Sequence, residues 1–391
     1  MNILIIHNEY SVYGGEDRAV NLQAKVLAKK HTVYEYIKSN KNYKRKGFIK
    51  NILAGLNIIY SLSSKRDVND ILKKNKIDVV LVHNLYPLIS PSVLSTIKKY
   101  NIPIVMTLHN YRLKCVNGLF LREGRICEKC ADRNSIWGMI YNCKGNILES
   151  IIYSFALTLH NQLRLFDKYI DVFIAPSKFV KEKLCSYGIN KKKIVVIPHF
   201  QTAINTLESC IGDYALFVGR LSKEKGIYTL IDAFKDISDK KLIVVGDGPE
   251  RKKLEKIIRK NQLENVELVG FKNGAELEQY YLNCKFVIVP SECYEVFGYI
   301  NIESFKYKKP VIGANAGAIP EIIEDGKTGL IFKSGNKADL IDKVNQLWYD
   351  NDKIKIMGEE TYKRLQLYYT EEKYSQALEN IFTNFSKIQN S

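Results

Sequence analysis

Apolar runs rich in valine and isoleucine recur along the whole chain, and helix-like segments separate them. Ten such runs can be read from the sequence: Asn2–His7, Ile77–His83, Ile102–His109, Asp171–Pro176, Lys193–Pro198, Tyr214–Gly219, Lys241–Gly246, Val266–Gly270, Phe286–Pro290 and Pro310–Gly313. Runs that are apolar throughout, rather than alternating, are typical of strands buried on both faces of a parallel sheet. Segments such as Arg18–Lys30 and Pro249–Lys260 predict the helices that connect parallel strands. The pattern therefore predicts an α/β fold.

The chain has 391 residues, which is longer than one ordinary hydrophobic core supports. We therefore expect two doubly wound, Rossmann-like domains whose sheets face each other across a cleft. The first domain is predicted over residues 1–200, with an insert over 111–145, and the second over residues 201–370. The break between them falls in the run Phe200–Gly212. The last residues, 371–391, are predicted to form a helix that packs back toward the first domain.

Positive charge is concentrated in the first half of the chain. Residues 1–200 contain 32 Lys and Arg against 14 Asp and Glu, whereas residues 201–391 contain 27 against 28, within a total net charge of +17. This asymmetry predicts an anionic partner for the first half, such as nucleic acid, an anionic lipid surface or a pyrophosphate-linked substrate. Solvated, lysine-rich faces explain the same charge equally well. Basic residues are not interleaved with aromatic residues as in a recognised nucleic-acid-binding module, so nucleic acid is the less favoured partner.

The sequence contains no apolar run close to the roughly 20 residues that a membrane-spanning helix needs. The N-terminal stretch MNILIIHNEYSVYGG has no basic residue before its apolar part and no small-residue cleavage site, so it is interpreted as a first strand rather than a signal peptide. These features predict a cytoplasmic protein. The segment Tyr43–Arg66 combines basic flanks with an apolar stripe, which predicts either a helix packed on the sheet or peripheral attachment to the inner face of the plasma membrane.

Two cations follow a predicted strand of the second half, at the edge where ligands bind in open α/β sheets. In the segment VGRLSKEKG, Arg220 follows Gly219 at the strand end, and Lys225 precedes Gly226 at a predicted helix start. A guanidinium and an ammonium group in this position are suited to binding a diphosphate, and to stabilising it as a leaving group without a metal ion. The alternative is a surface turn with two solvated cations.

Two glycine turns are further candidates for ligand contact. In GDGP, Gly248 lies in a strand-to-helix turn with Pro249 predicted at the first helical position, and a structural turn is as good an interpretation as a ligand contact. In YGGEDRAV, Gly14 and Gly15 precede a helix and let backbone amides approach an anion or a sugar. The second segment is not a phosphate-binding P-loop, because the pattern G-x-x-x-x-G-K-[ST] is absent.

The stretch EVFGYINIE places one acid on each side of a predicted helix start. Glu295 precedes Val296, Phe297 and Gly298, and Glu303 ends the stretch with seven residues between the two acids. If a helix begins near Gly298, its free amides bind phosphate, Glu303 reaches a ribose hydroxyl, and Glu295 accepts hydrogen bonds from sugar hydroxyls. This combination fits a nucleotide-diphosphate sugar better than it fits helix capping.

Taken together, these segments resemble the retaining glycosyltransferases of family 4, which have the GT-B fold. EVFGYINIE matches the E-x7-E motif of that family, GRLSKEKG its GR-x4-KG segment, GDGP its glycine turn and ANAGAIPE its GG-x-PE turn. APSKFVKEKL and YGGEDRAV also fit, and the matches run in the family's order over nearly the whole chain. Two positions depart from the family pattern. Ala318 replaces the second glycine of the GG-x-PE turn, and His199 stands where asparagine is usual.

The resemblance implies that the second domain binds a UDP- or GDP-sugar and that the first domain binds the acceptor. It implies Arg220 and Lys225 on the diphosphate, Glu303 on the ribose, and Glu295 and His109 beside the transferred sugar. The predicted catalytic residues are Glu295, His109, Arg220 and Lys225. The predicted donor-binding residues are Gly14, Gly15, Gly219, Arg220, Lys225, Gly248, Glu295, Val296, Phe297, Gly298 and Glu303.

The resemblance also implies a chemistry and a pathway. Family enzymes keep the anomeric configuration by front-face attack, in which the leaving phosphate helps to take the acceptor's proton, so neither a catalytic metal nor a cofactor is expected. The predicted acceptor is a glycan or a lipid-pyrophosphate-linked sugar of a bacterial surface polysaccharide, such as O-antigen of lipopolysaccharide, capsule or exopolysaccharide. Two alternatives are a nucleotide-sugar epimerase of the same architecture, which needs only a donor site, and a basic nucleic-acid-binding protein.

Four of the eight cysteines lie in the insert, namely Cys115, Cys127, Cys130 and Cys143. In a cytoplasmic protein they argue against a disulfide framework. One C-x-x-C pair with two flanking cysteines is compatible with a structural zinc site, and it is equally compatible with four reduced thiols. Any zinc bound here is expected to be structural rather than catalytic.

Overall fold

The computed structural model of the chain describes residues 1–10, 14–39, 55–131, 134–202 and 210–389. Four sequence predictions fall partly outside these described residues. They are the predicted membrane-attachment segment over its residues 43–54, the insert over its residues 132–133, the break between domains over its residues 203–209, and the last helix over its residues 390–391.

The chain divides into two compact units. The first contains residues 1–122, residues 127–197 and the chain from Tyr374 onward. The second contains residues 123–126 and 198–373. Each unit is built around one six-stranded sheet in which every pair of adjacent strands is parallel.

The sheet of the first unit has the strand order β2-β1-β3-β4-β7-β8. Its strands are β1 (Asn2–Glu9), β2 (Thr32–Ser39), β3 (Val79–Val82), β4 (Ile104–Thr107), β7 (Val172–Ala175) and β8 (Ile194–Val196), and a separate two-stranded sheet is formed by β5 (Leu121–Arg122) and β6 (Arg125–Ile126). The helices with assigned bounds are α1 (Gly15–Leu27), α2 (Leu62–Lys74), α3 (Ser92–Lys98), α4 (Ile136–Ile140), α5 (Ile147–Gln162), α6 (Leu165–Tyr169) and α7 (Lys178–Ser186). Residues 55–59 are also helical, and Lys191–Lys193 form a 3₁₀ turn.

The sheet of the second unit has the strand order β11-β10-β9-β12-β13-β14. Its strands are β9 (Tyr214–Val218), β10 (Lys241–Val245), β11 (Val266–Gly270), β12 (Phe286–Val289), β13 (Val311–Ala314) and β14 (Gly329–Phe332). The helices are α8 (Ile227–Asp236), α9 (Arg251–Lys260), α10 (Gly274–Leu282), α11 (Tyr299–Lys306), α12 (Ile319–Ile322), α13 (Lys337–Trp348) and α14 (Asn351–Tyr368). Helix α15 (Glu371–Gln389) follows, and from Tyr374 onward it belongs to the first unit. Lys223–Lys225 form a 3₁₀ turn.

Local sequence explains where several of these helices begin. Ser177 accepts a hydrogen bond from the amide of Val180 at 3.2 Å, which caps α7, and Asn146 caps α5 in the same way through the amide of Glu149 at 3.1 Å. Both are side chains that satisfy the free amides of a first turn. Helix α9 begins at Arg251, two residues later than predicted, because its first helical hydrogen bond runs from the amide of Leu254 to the carbonyl of Glu250 at 3.0 Å.

The predicted α/β fold of two Rossmann-like units is confirmed, and each of the ten predicted runs contains a strand. Four strands were not predicted: β2 and β14, which lie at the edges of the six-stranded sheets, and the short β5 and β6. The second unit buries one continuous apolar core that includes Phe234, Phe286 and Phe305. Within the described ranges, the helices are all too short or too polar to cross a lipid bilayer.

Candidate functional site

The strand order of the second sheet reverses between β9 and β12, which pair directly through Leu216 and Val287. Consecutive connections leave these two strands in opposite directions along the sheet, so a crevice opens beyond their carboxyl ends. The loop after β9 carries Arg220 and Lys225, and the loop after β12 carries Glu295 and Gly298. The topology therefore brings the two sequence-predicted segments to one edge of one unit.

Gly226 lets the loop after β9 pack closely on the end of β12. Its backbone has φ +67°, and a β-carbon there would lie 1.8 Å from the carbonyl oxygen of Pro290. The two loops are also joined by hydrogen bonds. The amide of Glu292 donates to the carbonyl of Glu224 at 2.9 Å, and the hydroxyl of Thr229 donates to the carboxylate of Glu292 at 2.5 Å. This packing fixes the position of Lys225, which immediately precedes the glycine.

Lys225 and Glu295 form an ion pair in which Nζ lies 2.5 Å from Oε1. The hydroxyl of Ser291 donates a second hydrogen bond to the same oxygen at 2.6 Å. Burial alone would raise the pKa of Glu295, but the Lys225 charge and the two hydrogen bonds outweigh burial and lower it. Burial would likewise lower the pKa of Lys225, and the Glu295 carboxylate raises it instead. Both groups are therefore charged at neutral pH.

Arg220 supplies a second cation close to this pair in sequence. It is exposed, and its guanidinium has no hydrogen-bond or ion-pair partner among the residues that the structure describes. A guanidinium that is not neutralised by a carboxylate is available to bind an anion through two parallel hydrogen bonds. The edge of the second sheet therefore carries one paired and one unpaired cation.

Helix α11 begins in this crevice, with Gly298 as its N-cap at φ +82°. Gly298 has no side chain that could cap this helix, so the start of the helix is suited to an anion. Phe297 is buried, and its ring packs edge-on against His199 at 5.1 Å. His199 in turn stacks on Tyr299 at 4.7 Å. The histidine that replaces the usual asparagine thus packs against both residues that flank Gly298.

Burial lowers the pKa of His199 to about 3, so this ring is neutral. A neutral ring stacks on an aromatic neighbour without introducing a charge beside the helix start. Its neighbours Phe297 and Tyr299 are part of an aromatic cluster that also includes Tyr369, 5.9 Å from Phe297. The side chain of Phe297 is used in packing, so only its backbone is free for a ligand.

Glu303, in the second turn of α11, is also buried. Its Oε2 accepts a hydrogen bond from the hydroxyl of Tyr281 at 3.2 Å. Tyr281 is itself held by a stack with Tyr307, with ring centroids 5.1 Å apart. The sequence did not identify Tyr281 or Ser291 as site residues, because neither lies in a motif with a diagnostic spacing.

The turn after β13 supports Glu295 from behind. A β-carbon on Gly317, which has φ +61°, would lie 2.3 Å from both the amide nitrogen and the carbonyl oxygen of Glu295. The amide of Ala318 donates to the Glu295 carbonyl at 2.8 Å. Ala318 has φ −80° and is fully buried, so alanine fits at this position without strain. Only the first position of this turn requires glycine.

Gly219 and Gly248 mark a second close crossing, between the loops after β9 and β10. A β-carbon on Gly248 would lie 2.4 Å from the carbonyl oxygen of Leu221, and one on Gly246 would lie 1.8 Å from that of Gly219. Leu221 donates its amide to the carbonyl of Asp247 at 2.9 Å. These contacts give the GDGP turn a structural role in holding the loop that carries Arg220. Val296, between Glu295 and Phe297 in the loop after β12, is half-buried.

Gly14, Gly15 and His109 belong to the first unit. Gly14 is the N-cap of α1, and its amide donates to the carboxylate of Asp17 at 2.9 Å. Its φ of −137° is one that other residues adopt, so the left-handed freedom of glycine is not used there. His109 Nε2 lies 2.8 Å from His83 Nδ1, so one ring donates a hydrogen bond to the other.

A polar cluster that the sequence did not predict surrounds His109. A small cavity at the carboxyl ends of β3 and β4 is lined by residues that include Glu16, His83, Asn84, His109 and Arg112. The guanidinium of Arg112 lies over the ring of Tyr10, 5.6 Å from its centroid, and donates a hydrogen bond to the side-chain oxygen of Asn84 at 3.3 Å. Burial raises the pKa of Glu16, although Arg112 opposes this. The first sheet reverses its order between β1 and β3, so this cluster also lies at a switch point.

The four cysteines of the insert are free thiols, and Cys115 and Cys130 are buried. Burial, and then the proximity of Cys115 and Cys143, raise the pKa of Cys130 to about 12. Burial and the neighbouring thiols raise that of Cys143 to about 11. The described part of the chain contains no group of three or more His, Cys, Asp or Glu side chains arranged to hold a metal ion. Zinc binding by this cluster stays a prediction.

Comparison with known proteins gives two family matches. The model described as Glycosyltransferase Family 4 matches residues 13–200, and the model described as Glycosyl transferases group 1 matches residues 212–364. The boundary between the matches lies in the same region as the boundary between the two units.

Relatives of known or assigned class are similar over parts of the chain. The uncharacterized glycosyltransferase MJ1178 of Methanocaldococcus jannaschii is 36% identical over 212 residues, which are 52% of this chain and 59% of that protein. The capsular polysaccharide biosynthesis glycosyltransferase CapM of Staphylococcus aureus is 27% identical over 271 residues, which are 63% of this chain and 70% of that protein. The chain thus spans little more than half the length of the first of these relatives.

Among solved structures, HepE (Alr3699) of Anabaena, crystallised with UDP and glucose, matches with a TM-score of 0.70. The match covers 97% of this chain and 99% of that chain at 18% sequence identity. At this identity, the likeness extends to the fold of both units.

Proposed function

Because this chain belongs to the family 4 glycosyltransferases of the GT-B fold, we propose that it moves a sugar from a UDP- or GDP-sugar to a glycan or lipid-pyrophosphate-linked acceptor. The reaction proposed is a retaining transfer in the synthesis of a bacterial surface polysaccharide, such as capsule, exopolysaccharide or the O-antigen of lipopolysaccharide. Two likenesses support this proposal. One is the similarity to a capsular polysaccharide transferase, and the other is the shared fold with a protein crystallised with UDP and glucose.

One observation carries the proposal, namely the convergence of cations, an uncapped helix start and two acids at the switch point of the second sheet. Lys225 lies 2.5 Å from Glu295, and Arg220 follows the neighbouring strand without a protein partner among the described residues. The uncapped first turn of α11 and Glu303 follow directly in the same loop and helix. A nucleotide-diphosphate sugar needs these groups: cations and helix amides donate hydrogen bonds to its phosphate oxygens, and the two acids accept hydrogen bonds from its ribose and sugar hydroxyls.

In this proposal, Arg220, Lys225 and the amides of α11 bind the diphosphate. As the bond between the sugar's anomeric carbon and the phosphate oxygen breaks, negative charge develops on that oxygen. Fixed positive charge placed there in advance stabilises the transition state more than the ground state. In this proposal, the unpaired Arg220 and the first-turn amides of α11 supply most of this charge, and Lys225, which is largely neutralised by Glu295, supplies the rest. The transfer then needs neither a catalytic metal ion nor a cofactor.

Glu303 accepts hydrogen bonds from the ribose hydroxyls, and Glu295 accepts them from the transferred sugar. The acceptor hydroxyl attacks from the face that the leaving phosphate vacates, and its proton passes to that phosphate. The new carbon–oxygen bond therefore forms on the same face as the broken one, and the configuration is retained. The backbones of Val296, Phe297 and Gly298 line the sugar side of this site.

The first unit is proposed to hold the acceptor. His109, hydrogen-bonded to His83, is assigned to the sugar-transfer region, together with Gly14 and Gly15 at the start of α1. The strongly basic first half suits an acceptor that carries pyrophosphate. The protein is proposed to act in the cytoplasm, attached peripherally to the inner face of the plasma membrane. Cys115, Cys127, Cys130 and Cys143 are proposed to serve either as a structural zinc site or as four reduced thiols, with no part in the chemistry.

Slow hydrolysis of candidate donors tests the proposal without knowledge of the acceptor. We expect one UDP- or GDP-sugar to release nucleoside diphosphate, and we expect Arg220→Ala, Lys225→Ala and Glu303→Gln each to lower that rate by about a hundredfold or more, because each removes a transition-state or donor contact. Lys223→Ala is the matched control, since Lys223 lies in the same 3₁₀ turn as Lys225 but is exposed.

Near-normal hydrolysis by Arg220→Ala or Glu303→Gln would remove the assignment of the site. Interconversion of two nucleotide sugars without release of nucleoside diphosphate would instead identify an epimerase.

A further inference from the structure

Helix α5 exposes an apolar stripe to solvent. Its sequence, ILESIIYSFALTLHNQ, contains one carboxylate and no lysine or arginine. Ile147, Ile151 and Phe155 follow one another at a four-residue spacing and are 56%, 41% and 59% exposed. The side that includes Tyr153 and Leu157 is buried in the first unit. A helix at the surface of a globular protein normally presents polar residues outward, so this outer face is adapted to an apolar surrounding.

The neighbouring helix α4 extends the apolar surface. Gly138 of α4 lies directly against α5, since a β-carbon there would be 2.8 Å from the hydroxyl of Ser154. On either side of this contact, α4 exposes Ile136, Trp137 and Ile140. We call the six exposed residues Ile136, Trp137, Ile140, Ile147, Ile151 and Phe155 the α4–α5 apolar face.

A second exposed apolar segment lies beside α5. Gly55 packs against Ile152 of α5, and the carbonyl of Ile59 lies 2.9 Å from Nε2 of His160. Leu56 and Tyr60, which adjoin these contact residues, are both exposed. The apolar surface of the first unit therefore includes more than the two helices.

Cations and aromatic rings flank the α4–α5 apolar face. The exposed Lys129 places Nζ 4.9 Å from the ring of Trp137 and donates to the hydroxyl of Tyr141 at 2.7 Å. The guanidinium of Arg122 lies 4.1 Å from the Tyr141 ring centroid. Tryptophan and tyrosine combined with lysine and arginine are typical of protein segments at the boundary between lipid head groups and acyl chains. The only carboxylate of α5, Glu149, lies two positions from both Ile147 and Ile151, so it does not share their face.

We propose that the α4–α5 apolar face docks the first unit onto an anionic lipid bilayer, with Lys129 and Arg122 at the head groups. A second copy of the chain fits this face less well. A two-fold contact would bring identical cationic rims together, and residues 1–200 carry 32 Lys and Arg against 14 Asp and Glu. An anionic bilayer instead supplies the opposite charge and an apolar interior. This inference does not depend on the proposed reaction.

Vesicle flotation of the full chain tests the inference. Vesicles of phosphatidylcholine mixed with phosphatidylglycerol are compared with vesicles of phosphatidylcholine alone. We expect the wild type to float with the anionic vesicles. For the triple variant Ile147→Ser, Ile151→Ser and Phe155→Ser, we expect a partition coefficient lower by on the order of a hundredfold, because three apolar side chains no longer enter the lipid. Lys129→Gln should weaken binding to the anionic vesicles by roughly fivefold.

The matched control is the triple variant Phe271→Ser, Ile356→Ser and Leu367→Ser. These residues lie in the second unit and are 55–66% exposed, so the same change in chemistry is made elsewhere. This control should float like the wild type. Thermal unfolding of each variant checks the fold, and donor hydrolysis in vesicle-free buffer separates a failure of docking from a failure of the reaction.

Three results would overturn the inference. The first is wild-type protein that does not float with either vesicle. The second is equal flotation of the α5 variant and the control variant, or equal flotation of the wild type with anionic and neutral vesicles. The third is a wild type that does not float and is dimeric by light scattering, together with an α5 variant that is monomeric. That result would assign the face to a contact between copies.

Discussion

Replacing Gly226 with alanine tests whether close packing on β12 holds the loop that carries Lys225. Gly226 has φ +67°, and a β-carbon there would lie 1.8 Å from the carbonyl oxygen of Pro290. The left-handed conformation costs an alanine about 1–2 kcal/mol, and displacing a packed neighbour costs about 1–3 kcal/mol more. We therefore expect Gly226→Ala to lower the free energy of unfolding of the second unit by about 2–5 kcal/mol.

Gly326→Ala separates the two contributions. Gly326 has φ +77°, but a β-carbon there meets no atom within 4 Å. This variant should therefore show only the conformational cost, about 1–2 kcal/mol. The difference between the two variants measures the approach of Gly226 to Pro290.

The two tryptophans of the chain allow this measurement on one unit. Trp137 lies in the first unit, whereas Trp348 is buried in the second, 5.9 Å from the ring of Phe286. In a Trp137→Phe background, guanidinium unfolding followed by fluorescence reports on the second unit alone, which matters because two units need not unfold together. Equal losses of stability for Gly226→Ala and Gly326→Ala would refute the close-packing argument.

Three further predictions concern single side chains. Tyr281→Phe removes a hydrogen bond to Glu303, and we expect the KM for the donor to rise about tenfold with kcat little changed; an unchanged KM would show that this bond does not position the carboxylate. The ionised form of Glu295 stabilises the wild type above the ordinary carboxyl pKa, and this stabilisation is lost as pH falls through the lowered value. In Lys225→Met, the burial of Glu295 is largely unopposed, so the pKa of Glu295 rises. The variant should therefore lose more stability relative to wild type at about pH 7 than at about pH 4. Equal losses at the two pH values would contradict this. Metal analysis of the purified protein decides between the two interpretations of the insert cysteines: one zinc ion per chain that is lost in Cys130→Ser would assign a structural zinc site, whereas purified wild type without zinc would assign four free thiols.

Two strands of the six-stranded sheets, β2 and β14, were not predicted from the sequence. Residues of β2 read TVYEYIKS, in which polar and apolar side chains mix, and they are largely half-exposed. Strand β14 has only four residues. Both lie at sheet edges, where one side of the strand has no neighbouring strand. Edge position accounts for the mixed pattern of β2, but β14 (GLIF) is apolar and largely buried, and the edge strands β8 and β11 were predicted, so burial does not explain why β14 was missed. Strands β3, β4, β9, β10 and β12 lie inside their sheets, and they were predicted because burial on both faces demands apolar residues throughout.

The site shows a similar division between what sequence patterns carry and what they do not. Spacing predicted Lys225 and Glu295 as site residues, since each follows a strand end, and the structure brings the two into an ion pair. Spacing did not identify Ser291, which donates to Glu295, or Tyr281, which donates to Glu303 from another helix. Their contributions depend on contacts between elements that are separate in sequence, and single hydroxyl donors leave no periodic signal. The same reason explains why the cluster around Arg112 was not predicted.

The ion pair between Lys225 and Glu295 resolves a conflict within the proposed site. A buried carboxylate repels a diphosphate, so an acid that binds the donor sugar would by itself weaken binding of the group to which that sugar is attached. Pairing at 2.5 Å cancels the charge of Glu295 while leaving its second oxygen to accept hydrogen bonds. Lys225 is then largely neutralised, and the unpaired guanidinium of Arg220 and the uncapped amides of α11 supply the remaining positive potential. Because Lys225 serves the acid and the phosphate together, its loss should impair donor turnover more than the loss of either acid alone.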